Sequence, residues 1–293
     1  MANELKSETE ADALLKMVNE QIALSAFDSN DTGLLKQMVE NLGDKRGMVR
    51  LGFAEALGKV GKPAVPFLVE AVRNHRDPVV RRSSAKALAL IRDATTIPSL
   101  IQAILTDEDT VVRSSSVGAL AKMGEASVPV LLETLASPES PETTKGLMTW
   151  ALAFIGAEAK EQLYKAFDSD LPEVRSAIVG AIAKVAEEEQ EERAFELLTN
   201  SLKDSASSVR SEAACALGNL DYQPAVPCLL ELLGHELGET RKAAALALMK
   251  IGDSTALASL ETALGQESDA TVEQVIKLAI SRLSKVEEED DWN

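Results

Sequence analysis

A short motif, Val-Arg or a near variant, recurs eight times along this chain: Val49 Arg50, Val80 Arg81, Val112 Arg113, Thr144 Lys145, Val174 Arg175, Val209 Arg210, Thr240 Arg241 and Val272 Glu273. The copies lie 30–35 residues apart, about 32 on average. A period this constant describes one supersecondary unit copied and stacked, in which each copy buries its apolar face only against its neighbours. Counting the second residue of the motif as zero, position six is alanine in every copy, from Ala56 to Ala279, and position seven is Leu or Ile, from Leu57 to Ile280. A fixed small residue beside a fixed large one lets two helix backbones approach while the layer between them is filled. Apolar residues at positions minus one, three or four, and ten complete a helical stripe, so this segment is the second helix of each unit.

A shorter amphipathic segment precedes each of these, as at 65–72, 97–105, 128–135 and 226–233. Several carry proline early, at Pro66, Pro98, Pro129 and Pro227, where a first turn has no use for the missing N–H. These are the first helices of the pairs. Between them lie short turns such as 74–78, with Asp77 placed to cap the helix that Pro78 opens. Six residues before position zero stand Asp44, His75, Asp107, Glu139, Ser169, Asp204, His235 and Glu267, mostly acids. Paired with Arg50, Arg81, Arg113, Arg175, Arg210 and Arg241, this column reads as a structural ladder, in which Asp44, Asp107 and Asp204 face arginines of the same or the adjacent copy.

Composition narrows the function. Aromatics are only 3% against 45% hydrophobic residues, so the core is built of Ala, Leu, Val and Ile, as in closely packed helical proteins. Forty-seven acids against 30 bases give a formal charge of −17, which argues against nucleic acid and against anionic membrane surfaces as partners. The opening MANELKSETEADA is acidic without an apolar stretch, and no run approaches the length of a membrane span, so a soluble protein without a secretory signal is expected. The expected organisation is an acidic segment and capping helix over 1–28, the repeat array over 29–286 with one continuous core, and an acidic, disordered tail over 287–293.

The unit resembles a HEAT repeat, specifically the short type of the phycobilin lyase E/F family of cyanobacteria and red algae. VVRRSSAKALALI at 79–91, EVRSAIVGAIAKV at 173–185 and SVRSEAACALGNL at 208–220 carry the resemblance. It implies an all-α, right-handed α-solenoid of about eight HEAT-like helix pairs whose second helices line a concave groove. It also implies a protein partner in that groove, either a phycobiliprotein handled during bilin attachment, detachment or turnover, or a second lyase-type subunit. A bilin would be a transient ligand and no cofactor would be resident. The location implied is the cytoplasm, or the chloroplast stroma in a red alga. A chaperone-like binder, a catalytic bilin lyase subunit and a generic scaffold without a pigment link all stay open at this point.

Candidate residues are few. No Gly-rich phosphate loop, GxSxG or HExxH is present, and no catalytic residue is assigned. His235 Glu236 is the only His-Glu pair. Deoxyhypusine hydroxylase, built of similar repeats, holds two irons through several such pairs, whereas here both histidines fall on the ladder column; no metal site is expected. Cys215 and Cys228 read as small core residues. Gly58 and Gly218, at position eight, read as points of close helix packing. Trp150 and Phe154, at positions five and nine of the fourth copy, are the exception. Position nine is otherwise mostly lysine, including Lys122 and Lys184 in the flanking copies. Two readings stand: a groove anchor for a partner's apolar residue or for a bilin and its propionates, with Lys122 and Lys184 beside it, or rings tucked between layers.

Overall fold

The computed structural model describes the backbone of residues 2–290 and the side chains of residues 10–285. Helix α1 (Ala2–Ala23) leads into eight pairs: α2 (Thr32–Glu40) and α3 (Gly47–Val60); α4 (Val65–Asn74) and α5 (Pro78–Ile91); α6 (Ile97–Thr106) and α7 (Thr110–Lys122); α8 (Val128–Ala136) and α9 (Glu142–Ile155); α10 (Lys160–Ala166) and α11 (Pro172–Glu189); α12 (Glu192–Ser201) and α13 (Ser207–Asn219); α14 (Val226–Leu232) and α15 (Gly238–Ile251); α16 (Leu257–Gln266) and α17 (Ala270–Asp290). No strand occurs among the described residues. The closing helix runs to Asp290, through part of the expected tail, and the tail's side chains lie outside the described residues.

Two compact units result, one of residues 2–131 with 139–151, the other of residues 132–138 with 152–290. The fourth pair is thus divided between them, where the sequence reads as one continuous core. In the first unit α3, α5 and α7 stack as neighbours, each backed by its first helix, and α1 lies on α3. In the second, α11, α13, α15 and α17 do the same.

The repeat positions explain the stacking. Every position-six alanine is at most 6% exposed, and the position-seven side chains from Leu57 to Leu248 are fully buried. Burying one such Leu or Ile is worth roughly 1.5–3 kcal/mol, so the column is the main hydrophobic contribution of each copy. At position eight the backbones nearly touch: a Cβ on Gly218 would lie 2.8 Å from Ala247 Cα. Helix starts follow the turn residues. Asp31, Asp77 and Asp109 cap α2, α5 and α7, accepting from Leu34, Val79 and Val111 N–H at 2.8–2.9 Å.

The longest interval between copies is closed by a polar clasp. Helix α11 extends to Glu189, and Lys160 of α10 bonds Glu189 and Glu191 just beyond it. Tyr164 Oη donates to Glu191 at 3.0 Å while Arg193 sits 4.1 Å over its ring. Burial first, then the bond to Glu191, pushes the Tyr164 hydroxyl up to about 12. These acids hold the extended turn onto the first helix.

Candidate binding face and the turn ladder

Positions five and nine leave the helix axis on the side opposite the buried alanine and leucine. In α9, Met148, Ala151 and Leu152 are fully buried, whereas Trp150 and Phe154 are 50% and 47% exposed. The rings therefore belong to the outward face of the second helix. Elsewhere the same columns hold Glu55 and Lys59, Lys86 and Leu90, and Cys215 and Asn219, all exposed. Cys215 thus departs from the core placement expected of it, because position five never turns inward; Cys228, on α14, is half-buried. Lys122 is exposed at the end of α7. Lys184 lies along Gly156, whose added Cβ would meet its Cγ at 3.0 Å, and its ammonium is engaged by Glu187 at 2.7 Å and Glu188 at 3.6 Å. Its charge is largely satisfied locally by these two acids.

The arginines and turn residues of the two columns form a hydrogen-bond pattern more varied than a column of acids suggests. Five of the six ladder arginines turn one nitrogen back to their own turn: Nη1 of Arg50, Arg81, Arg175, Arg210 and Arg241 donates to the carbonyls of Asp44, His75, Ser169, Asp204 and His235 at 2.5–2.9 Å, whereas Arg113 donates Nε to the Ile104 carbonyl at 2.9 Å. In Arg81, Arg175 and Arg241 the rest of the guanidinium reaches forward one copy. Arg81 holds both carboxylate oxygens of Asp107 at 2.7 and 2.9 Å, Arg175 those of Asp204 at 2.8 Å, and Arg241 those of Glu267 at 2.7 Å. These are charge-assisted, two-point contacts in partly dry surroundings. Arg113 and Arg210 reach a threonine instead, Thr144 at 3.2 Å and Thr240 at 3.3 and 3.2 Å. Those are the two copies in which Thr replaces Val at position minus one. Lys145 of the fourth copy pairs with Glu142 at 3.4 Å.

Asp44 does not face a ladder arginine with its carboxylate. Arg46, from the same turn, takes it at 3.0 and 3.1 Å in place of the arginine of an earlier copy, and bridges to Asp12 of α1 at 2.9 Å. Several column side chains also accept the amide two residues on: Asp107 from Asp109, Asp204 from Ala206, Glu267 from Asp269. The two histidines do this job with Nδ1, accepting from Asp77 and Leu237 N–H at 3.0 Å. Each ring therefore carries its proton on Nε2 and serves the turn. No group of three or more His, Cys, Asp or Glu side chains converges among the described residues in a manner suited to a metal ion.

Charge on the ladder is displaced accordingly. Hydrogen bonding to Arg241, against the effect of burial, holds Glu267 down to about 2. Arg175 holds Asp204 below the usual carboxylate range. For Asp107, burial pushes upward, yet Arg81 and the Asp109 amide outweigh it and the net shift is down. One carboxyl moves the other way: Glu212 on α13, desolvated against α11 where Gly180 leaves room for it, is raised by burial. Sequence reading missed it because the space comes from an absent side chain in the preceding copy.

A model of HEAT repeats matches this chain over residues 5–89, 65–153, 128–214 and 195–281. The bilin biosynthesis protein MpeU of Synechococcus sp. (strain WH8020) is 40% identical over 283 residues, covering 96% of this chain and 95% of that protein. Among solved structures, Kap121p superposes with a TM-score of 0.50 at 14% identity over 87% of this chain and 38% of its own, a likeness of fold alone. Human deoxyhypusine hydroxylase matches at 21% identity and a TM-score of 0.39, over 86% of this chain and 96% of its own. No helix among the described residues is long and apolar enough to cross a membrane.

Proposed function

Because this chain belongs to the HEAT-repeat proteins of the phycobilin lyase E/F type, we propose that it binds a phycobiliprotein through the second-helix face bearing Trp150 and Phe154, while a bilin is attached, detached or turned over. The observation that carries the reading is the pair itself. Two large rings half-exposed on a helix whose neighbouring positions are fully buried are the kind of rigid apolar anchor that dominates protein interfaces. Kinship with a bilin biosynthesis protein over nearly the whole chain supports the class of partner. The role is that of a binder; catalysis of bilin transfer is a narrower claim that the same experiment separates.

The test is capture from a phycobilisome-containing lysate on immobilised protein, scored for polypeptide identity and for visible absorbance. Wild type retains a phycobiliprotein, and Trp150→Ala with Phe154→Ala releases it, each at a melting temperature close to wild type because the rings are not core. A loss of roughly 3–5 kcal/mol in stability for each variant would instead mark them as packed residues and remove the anchor. Retention of no phycobiliprotein by the wild type would overturn the partner assignment. Co-expression with an apo-phycobiliprotein and a bilin then distinguishes a lyase, which gives covalent colour, from a binder, which does not.

A further inference from the structure

The outward face of the second helices in the first unit runs against the charge of the chain as a whole. Over the full sequence acids outnumber bases 47 to 30. At positions one, five and nine of α3, α5 and α7 the order reverses: Lys59, Arg82, Lys86 and Lys122 stand there, with Glu55 as the one acid. Residues four apart share a helix face, and α5 stacks on both α3 and α7, so the four bases make one patch across three neighbouring helices. Lys59, Lys86 and Lys122 are exposed and Arg82 is half-buried. Among the described residues Lys59, Arg82 and Lys86 form no ion pair. Leu90 lies among these bases, 53% exposed; it follows Lys86 by one turn, and its Cβ would meet a Cβ added to Gly58, the neighbour of Lys59, at 2.9 Å. The far end of the chain has the complementary character. Helix α17 closes in Glu287, Glu288, Glu289 and Asp290 with no base in its last turn, and Asp291 and Trp292 follow. The helix dipole opposes negative charge at a C-terminus, so these acids gain wherever bases are brought to them.

We propose that the acidic end of one copy of this chain, residues 287–293, docks on the basic patch of a second copy, its carboxylates taken by Lys59, Arg82, Lys86 and Lys122 and Trp292 lying against Leu90. Acids and an aromatic ring are adjacent in the one segment, as bases and an exposed leucine are in the other. The acids of the last turn belong to α17, which packs on α15 and α16, so a separate molecule brings them to the patch in whatever pose the charges favour. Each copy carries a formal charge of −17, yet at about 0.15 M salt charges more than about 8 Å apart are screened, and close pairing outweighs distant repulsion. Self-association of this kind closes part of the second-helix face to other partners when the protein is concentrated. The inference does not rest on the docking reading above, since it uses neither Trp150 nor Phe154.

The probe is a fluorescein-labelled peptide of residues 284–293, SKVEEEDDWN, titrated with the full-length chain and followed by anisotropy. Saturable binding is expected, weakened roughly tenfold or more in Arg82→Glu/Lys86→Glu and to a similar extent when the acids of the peptide are replaced by their amides. Arg82→Ala/Lys86→Ala repeats the comparison should the glutamates unsettle α5. Lys36→Glu/Lys203→Glu, which removes two exposed bases outside the patch, should bind the peptide as wild type does. Sedimentation velocity of the full-length chain from roughly 1 to 100 µM should show association in the wild type, lost in Glu287→Gln/Glu288→Gln/Glu289→Gln and in Arg82→Glu/Lys86→Glu. No saturable binding, equal affinity for the amide peptide, or an equal loss in Lys36→Glu/Lys203→Glu would each overturn the patch as the docking site. A wild type that stays monomeric, as a tail held by its own chain would leave it, overturns the second copy as occupant, and association unaltered by the tail variant overturns the tail.

Discussion

At the scale of single residues, the ladder converts ordinary turn chemistry into acid sensitivity. Glu267 is held at about 2 by Arg241 and by the amides of Ser268 and Asp269, against an ordinary value of 4.5. A carboxylate depressed on folding stabilises the native state fully above its unfolded value, and that stability drains away as pH falls through the native one. Unfolding free energy should therefore decline between about pH 5 and pH 2, with Asp107 and Asp204 adding to the slope. Glu267→Gln should cost roughly 1–3 kcal/mol at neutral pH, by weakening the partner of a half-buried guanidinium, and should flatten that slope. Urea titrations at pH 7 and pH 3 measure both, and an unaltered slope in the variant would assign the acid sensitivity elsewhere. The arginines and most of the acids are legible from sequence because they recur at fixed offsets. Which one grips which is not, since the partner stands a copy away; Thr144 and Thr240 look like conservative replacements of valine and turn out to be acceptors.

At the scale of helices, glycine separates packing from propensity. A helical Gly→Ala exchange ordinarily stabilises by roughly 0.5–1 kcal/mol. Gly118 on α7 has nothing within 4 Å of an added Cβ, so Gly118→Ala should gain about that much. Gly218 faces Ala247 backbone at 2.8 Å, which a side-chain rotation cannot relieve. Gly218→Ala should lower the melting temperature by several degrees despite the better propensity, roughly the effect of 1–3 kcal/mol of overpacking. Thermal melts of the two variants side by side decide it, and a gain in both would show that α13 and α15 have slack. The periodic pattern makes the helices and their inward columns readable. It also places Trp150, Phe154 and Cys215 at outward positions, yet residue type pulls the other way, since aromatics and thiols are usually buried; offset in the repeat proves the better guide than chemistry.

At the scale of the whole chain, a regular sequence yields two compact units, and the division falls within the fourth copy, where the ladder residue is Lys145. In a repeat array, compact units are also candidate units of opening. Native-state hydrogen exchange should accordingly group the slow amides of α3, α5 and α7 at one opening free energy and those of α13 and α15 at another. A single value shared by all five helices would mean that they open together. The period alone gives no hint of this, because alanine at position six and Leu or Ile at position seven are intact in all eight copies.

The forward grip of the ladder arginines also limits how such a chain can change by gain or loss of copies. Cutting out one period keeps every helix in phase, but it gives the arginine just before the cut a new neighbour. Loss of the third copy would offer Arg81 the carboxylate of Glu139; loss of the sixth would leave Arg175 opposite a histidine, His235. The heritable module is therefore a matched pair of turns belonging to consecutive copies, and the helix pair, for all its visible repetition, is not the part that can be shuffled freely.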